Sequence, residues 1–144
     1  MTKMNISNIV LNQRTFFKTD KTKSIPFRME QLKKLQHAVV KYESEIQHAL
    51  WEDLRKSPEE AYLTEISIVL QEINLHLKKL KQWASPTRVS TPTHLFPSKS
   101  KIIYEPLGVA LIIAPWNYPF QLLFNPLVGA ISSGCCTVLK PSPE

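Results

Sequence analysis

The sequence predicts an α/β fold: an N-terminal helical hairpin followed by the first βαβ unit of a parallel sheet, truncated soon after its second strand. Three observations carry this. Between residues 27 and 84, apolar residues recur at steps of three and four over two long stretches. Residues 108–114 form a short continuous apolar run with β-branched members, the composition of a strand buried on both faces. A second such run, 135–139, follows after one helix length.

Ile6, Ile9, Val10, Gln13, Phe16 and Phe17 have helical spacing and predict a short first helix. It should end before the lysine-rich turn at 18–24. Leu32, Leu35, Val39, Tyr42, Ile46 and Ala49 fall on one stripe of a helix over about 27–54. Ser57-Pro58-Glu59-Glu60 then marks a new start. The serine can accept from first-turn amides, proline suits the first helical position, and Glu60 can complete a capping box. The stripe that follows is Leu63, Ile66, Leu70, Ile73, Leu77 and Leu80, with Lys78, Lys79 and Lys81 where cations favour a helix C-terminus. Ser85-Pro86 stops it. Two long antiparallel helices joined by a short turn result.

Residues 85–100 are rich in Pro, Ser and Thr and mark a boundary. Residues 101–104 have extended character and predict an edge strand. Residues 120–133 have helical spacing through Leu123, Leu127 and Ile131 despite Pro126, and Gly134 stands at a natural C-cap. The expected division is 1–84 helical, 85–104 linker with an edge strand, and 105–144 the start of a nucleotide-binding domain. The crossover of the βαβ unit should be right-handed.

Composition narrows the function classes. The chain has 144 residues, about one domain, and a formal charge of +6. Its lysines alternate with glutamates on predicted polar faces, as in Glu30 and Lys34 or Glu72 and Lys79, so a solvated face is expected and no nucleic-acid partner. With three glycines and eleven prolines, it contains neither GxGxxG nor GxxxxGK[ST]. The cysteines, Cys135 and Cys136, are adjacent, a spacing that would strain a disulfide between them, and unpaired thiols suit a reducing, cytoplasmic compartment. The first residues, MTKMNISNIVLNQ, are too polar for a signal peptide. Pro115, Asn117, Gln121 and Asn125 interrupt the one candidate for a membrane span, so no membrane association is indicated.

Ligands of open α/β sheets bind beyond the carboxyl ends of the strands. Two segments fall there: Ala114-Pro115-Trp116-Asn117 and Lys140-Pro141-Ser142. Asn117 offers amide donors at a strand-to-helix turn. On spacing alone it can either cap the following helix or face a ligand. Cys135 and Cys136 open the second strand and read as structural, since a nucleophilic thiol needs an accessible, electropositive site. His37, His48, His76 and His94 lack metal-ligand spacing and read as surface residues, so no metal is expected. Trp51 and Trp83, near helix ends, read as packing residues.

Pro115-Trp116-Asn117-Tyr118-Pro119-Phe120, preceded by Glu105-Pro106-Leu107-Gly108-Val109 and followed in register by Lys140-Pro141-Ser142, resembles the N-terminal portion of the aldehyde dehydrogenase family. The long helices and the Phe27-Arg28 to Leu32 pattern resemble the class acting on fatty and aromatic aldehydes. The resemblance implies a Rossmann-like domain binding NAD or NADP, and oxidation of a small-molecule aldehyde to an acid. In that chemistry a cysteine thiolate forms a thiohemiacetal, hydride passes to the nicotinamide, and a glutamate-activated water hydrolyses the thioester. By the same resemblance Asn117 stabilises the oxyanion. Ala114, Pro115, Trp116, Asn117, Lys140 and Ser142 contact the cofactor, with Lys140 reaching the adenosine ribose. The family often has Glu three residues after this lysine; here Pro143 stands there and Glu144 follows, which leaves NADP use open.

The resemblance also implies a homo-oligomer, a dimer, for the complete enzyme. The nucleophile and general base are expected beyond residue 144, so the isolated chain is expected to be inactive and poorly soluble or molten. The alternative is a non-catalytic helical interaction module that pairs with a full-length relative. A free-standing nucleotide-binding domain is a third reading.

Overall fold

The structure is a computed structural model that describes residues 5–143. Helix α1, Ile6–Phe17, is opened by Asn5, whose side chain accepts from the Asn8 amide. It ends where its apolar spacing ends, and a 3₁₀ turn, Lys21–Lys23, follows.

The stripe predicted over 27–54 belongs to two helices, α2 (Ile25–Lys41) and α3 (Glu43–Leu54). Helix α2 starts early because Ser24 accepts from the Phe27 amide and Pro26 supplies a preset first turn. Tyr42 leaves helical dihedrals, at φ −104° and ψ 21°, and α3 restarts with Glu43 and Glu45 in its first turn. Carboxylates there favour a new N-terminus.

Ser57 caps the next helix as expected, accepting from the Glu60 amide at 3.2 Å. A first turn, α4 (Pro58–Ala61), runs into a π-helical turn at Tyr62–Ile66 and then into α5 (Ser67–Trp83). The wider π turn shifts the helical register. Leu63, expected on the apolar stripe, is therefore 66% exposed, whereas Glu65 is wholly buried beside Ile66. Ile73 and Leu80 are buried as their spacing predicts, together with Val69.

Helices α2 and α5 are antiparallel: Arg28 at the start of α2 shares a cavity with Leu80 and Trp83 at the end of α5. Midway, Gln36 donates to Asn74 at 2.7 Å. Leu32 and Val39 of α2 meet Val69, Ile73 and Leu80 of α5 and Val128 downstream in one core.

The stretch read as linker carries a hairpin of its own. Strands β1 (Thr87–Val89) and β2 (Ser100–Ile102) pair antiparallel, Thr87 opposite Ile102. The extended character of 101–104 is thus spent within this hairpin and adds no edge to the other sheet.

The last elements are β3 (Val109–Ile113), α6 (Pro119–Ser133) and β4 (Cys136–Lys140). Strands β3 and β4 are parallel, in register from Val109 opposite Cys136 to Ile113 opposite Lys140. Burial on both faces of β3 is not what the structure shows. Ile112 and Ala114 are buried, but Leu111 and Ile113 are 63% and 62% exposed. The alternation arises because α6 packs against one face of β3, while α1 lies only against the start of the other.

Gly134 closes α6 at φ 85°, a left-handed position. Arg28 lies against it, buried, donating to the carbonyls of Thr22 (2.6 Å), Lys23 (3.0 Å) and Ser132 (3.3 Å). Burial pushes its guanidinium below the ordinary value, opposed by neighbouring Cys135.

Candidate functional site

The parallel register of β3 and β4 makes both strands end side by side. One hydrogen bond extends the ladder past the strands, from the Ala114 amide to the Lys140 carbonyl at 3.1 Å. The two segments nominated from sequence are thereby brought together. Ala114 is buried as the anchor; Pro115, Trp116, Asn117 and Lys140 are exposed beyond it, and Ser142 is half-buried. Glu144 lies outside the described residues.

Asn117 does not cap the following helix. The cap position of α6 is Tyr118, which makes no side-chain capping bond. The free amides of the first turn are taken instead by a carboxylate from far upstream: Phe120 and Gln121 donate to Glu65 Oε2 at 2.8 and 3.1 Å. Among the described residues none hydrogen-bonds to the Asn117 side chain, so its amide is available to a ligand.

The same buried carboxylate pairs through Oε1 with Lys56, which is also buried. Lys56 Nζ in turn donates to the Asn117 carbonyl at 3.1 Å and lies 3.9 Å from the centre of the Tyr118 ring. Neither Lys56 nor Glu65 is nominated by a motif in the sequence. Glu65 did leave a signal, since it stands four residues before Val69 and eight before Ile73, in line with buried positions. Lys56, in the turn between α3 and α4, left none.

The thiols are remote from this edge. Cys136 opens β4 opposite Val109, four residues from Lys140, a strand length of about 13 Å. Cys135 precedes the strand rather than opening it. Both are free, and the Cys136 thiol is pushed above its ordinary value by burial and then by Cys135. Their structural reading fits this placement.

His76 is not the surface residue its spacing indicated. Nε2 lies 3.0 Å from Glu72 Oε1, and the ring meets Trp83 edge-on at 5.0 Å between centroids. Among the described residues no group of three His, Cys, Asp or Glu side chains could hold a metal ion. None of the described helices is long and apolar enough to cross a membrane.

Helices, a parallel strand pair and an exposed loop at the carboxyl ends of the strands define an α/β segment, and in open α/β sheets that end of the strands is where ligands bind. A family profile described as "Aldehyde dehydrogenase family" matches residues 1–144. The chain belongs to the aldehyde dehydrogenase family, a family of oxidoreductases. It is 53% identical over 131 residues to a 4,4'-diaponeurosporen-aldehyde dehydrogenase of Staphylococcus aureus, covering 91% of this chain and 28% of that one. It is 43% identical over 136 residues to aldehyde dehydrogenase family 3 member H1 of Arabidopsis thaliana, covering 94% and 28%. A solved substrate-bound Staphylococcus aureus aldehyde dehydrogenase superposes with a TM-score of 0.91 at 52% identity, over 96% of this chain and 31% of that one. A glyceraldehyde-3-phosphate dehydrogenase from Methanocaldococcus jannaschii, complexed with NADP, shares the fold at a TM-score of 0.82 and 19% identity, over 94% and 28%. The chain therefore spans under a third of the length of these relatives.

Proposed function

We propose that the chain supplies the N-terminal, cofactor-facing part of an NAD(P)-dependent aldehyde dehydrogenase, with Asn117 as the oxyanion donor. The observation that carries this is the unclaimed Asn117 amide at the joined ends of β3 and β4. A carboxamide suits the task because it donates a hydrogen bond without a charge that would hold the attacking thiolate.

Strand β3, helix α6 and strand β4 are read as the first βαβ unit of a Rossmann-like domain, residues 105–144, after helices 1–84 and a connecting stretch 85–104. The residues fit a dinucleotide: 115–117 are exposed beyond the strand ends, anchored by buried Ala114, and Lys140 presents a cation beside them. Ala114, Pro115, Trp116 and Asn117 would line the cofactor, with Lys140 at the adenosine ribose and Ser142 beside it. Lys140 would bind ribose hydroxyls or a 2′-phosphate. NAD or NADP, when bound, accepts the hydride.

The catalytic thiol and the general base would come from outside these residues, because Cys135 and Cys136 sit at the opposite end of the sheet. By itself the 144-residue chain should not turn over aldehyde. The exposed Leu111 and Ile113 share one face of β3 and offer an apolar surface on which a further layer of the complete domain would pack. Free thiols support a cytoplasmic setting, and the exposed Phe96 and Leu107 support an oligomer, which we read as a homodimer.

The test is a chimera in which residues 1–144 replace the matching segment of the staphylococcal relative. NAD(P)H formation with an aliphatic aldehyde is expected, and Asn117→Ala should lower kcat by about 100–1000-fold. Full activity of the Asn117→Ala chimera would overturn the assignment.

A further inference from the structure

The buried pair between the helical hairpin and the strand ends touches the Asn117 turn at four points. Lys56 Nζ holds the carbonyl of Asn117 itself and faces the ring of Tyr118. Glu65 holds the next two available amides, those of Phe120 and Gln121, through one oxygen, and Lys56 through the other. Four consecutive chain positions with free polar groups or a ring, interrupted only by Pro119, are thus fixed by one ion pair. Both of its members are buried, so water does not compete for these bonds. The carbonyl of Asn117 and the first amides of α6 are thereby held from the buried side of the turn.

We propose that Lys56 and Glu65 are positioning residues for Asn117: they orient its main chain so that its carboxamide meets the developing oxyanion. The proposal rests on reading Asn117 as the oxyanion donor. It assigns the helical hairpin a share in catalysis, exercised from the buried side of the turn while the ligand occupies the exposed side. The chemistry is demanding of position, since a displacement of about 1 Å at a reacting group costs about 100-fold in rate.

The chimera described above tests this with Lys56→Met, Glu65→Gln and the paired Lys56→Met/Glu65→Leu variant. The paired variant leaves no charge buried alone, and so keeps the experiment informative where a single substitution prevents folding. Each is made with Asn117 intact and again with Asn117→Ala. With Asn117 present, kcat should fall by about 10–100-fold. In the Asn117→Ala background the same substitutions should add no further loss, because the group they position is gone. An equal loss in both backgrounds would overturn the proposal and leave the pair as fold support. An undiminished kcat in the folded paired variant would overturn it as well. If Asn117→Ala alone has no effect, it is the oxyanion assignment that fails, a separate result.

Discussion

The Arg28 guanidinium occupies the space into which a side chain on Gly134 would have to grow: a Cβ there would lie 2.6 Å from Arg28 Nε. Gly134 is also at φ 85°, where L-residues are strained. Gly134→Ala should therefore destabilise the fold by about 2–4 kcal/mol, the sum of a left-handed residue and an overpacked contact. Urea denaturation followed by tryptophan fluorescence reads this directly. An unchanged midpoint would mean that Arg28 swings clear of its three carbonyls at no cost.

Ser57 gives a milder test of the same kind. Its hydroxyl satisfies the Glu60 amide at the start of α4. Ser57→Ala should cost about 1 kcal/mol, and Ser57→Asp should restore most of it. If both variants melt together with the parent, the cap contributes nothing.

Cys136 makes stability depend on pH. Its thiol is raised above the ordinary 9.0 by burial and by Cys135, so the unfolded chain releases this proton first. Stability is intact below pH 9.0 and should decline as pH rises through the higher folded value. Cys136→Ala should flatten that decline above pH 9.0, when melting temperatures of the two proteins are compared across the alkaline range. Parallel curves would show that the thiol does not sense its burial.

Lys140 should distinguish the two nicotinamide cofactors. It is exposed beside the Ala114 anchor, where its charge can meet a 2′-phosphate. In the chimera, Lys140→Met should raise KM for NADP by about tenfold and for NAD by less, since a hydroxyl loses less than a phosphate. Equal changes for both would place the ammonium away from the ribose.

The sequence alone sufficed where one local pattern decides the structure. The spacing from Ile6 to Phe17, the Ser57-Pro58 start, the apolar run before Ala114 and Gly134 after α6 each correspond to an element end or interior in the structure. It failed where the outcome depends on distant partners. The π turn at Tyr62–Ile66 turned Leu63 outward and Glu65 inward, and period counting assumes that no such turn intervenes. The two candidate segments, at 114–117 and 140–142, were legible because strand ends are. Glu65 was legible only as a position in line with Val69 and Ile73, and Lys56 not at all, because an ion pair spanning nine residues that reaches another 55 along the chain names neither partner locally.

Helix α6 has opposite charges at its two ends, both from the helical hairpin: the Glu65 carboxylate at its first amides and the Arg28 guanidinium at a carbonyl of its last turn. Each charge matches the partial charge of the helix end it meets. The hairpin therefore reads the direction of the helix as well as its apolar face. A helix docked backwards would bring carboxylate to carbonyls and guanidinium to amides, two buried mismatches at once. Greasy surfaces alone would accept either direction; this electrical keying admits one, and with it one sense for the chain between β3 and β4.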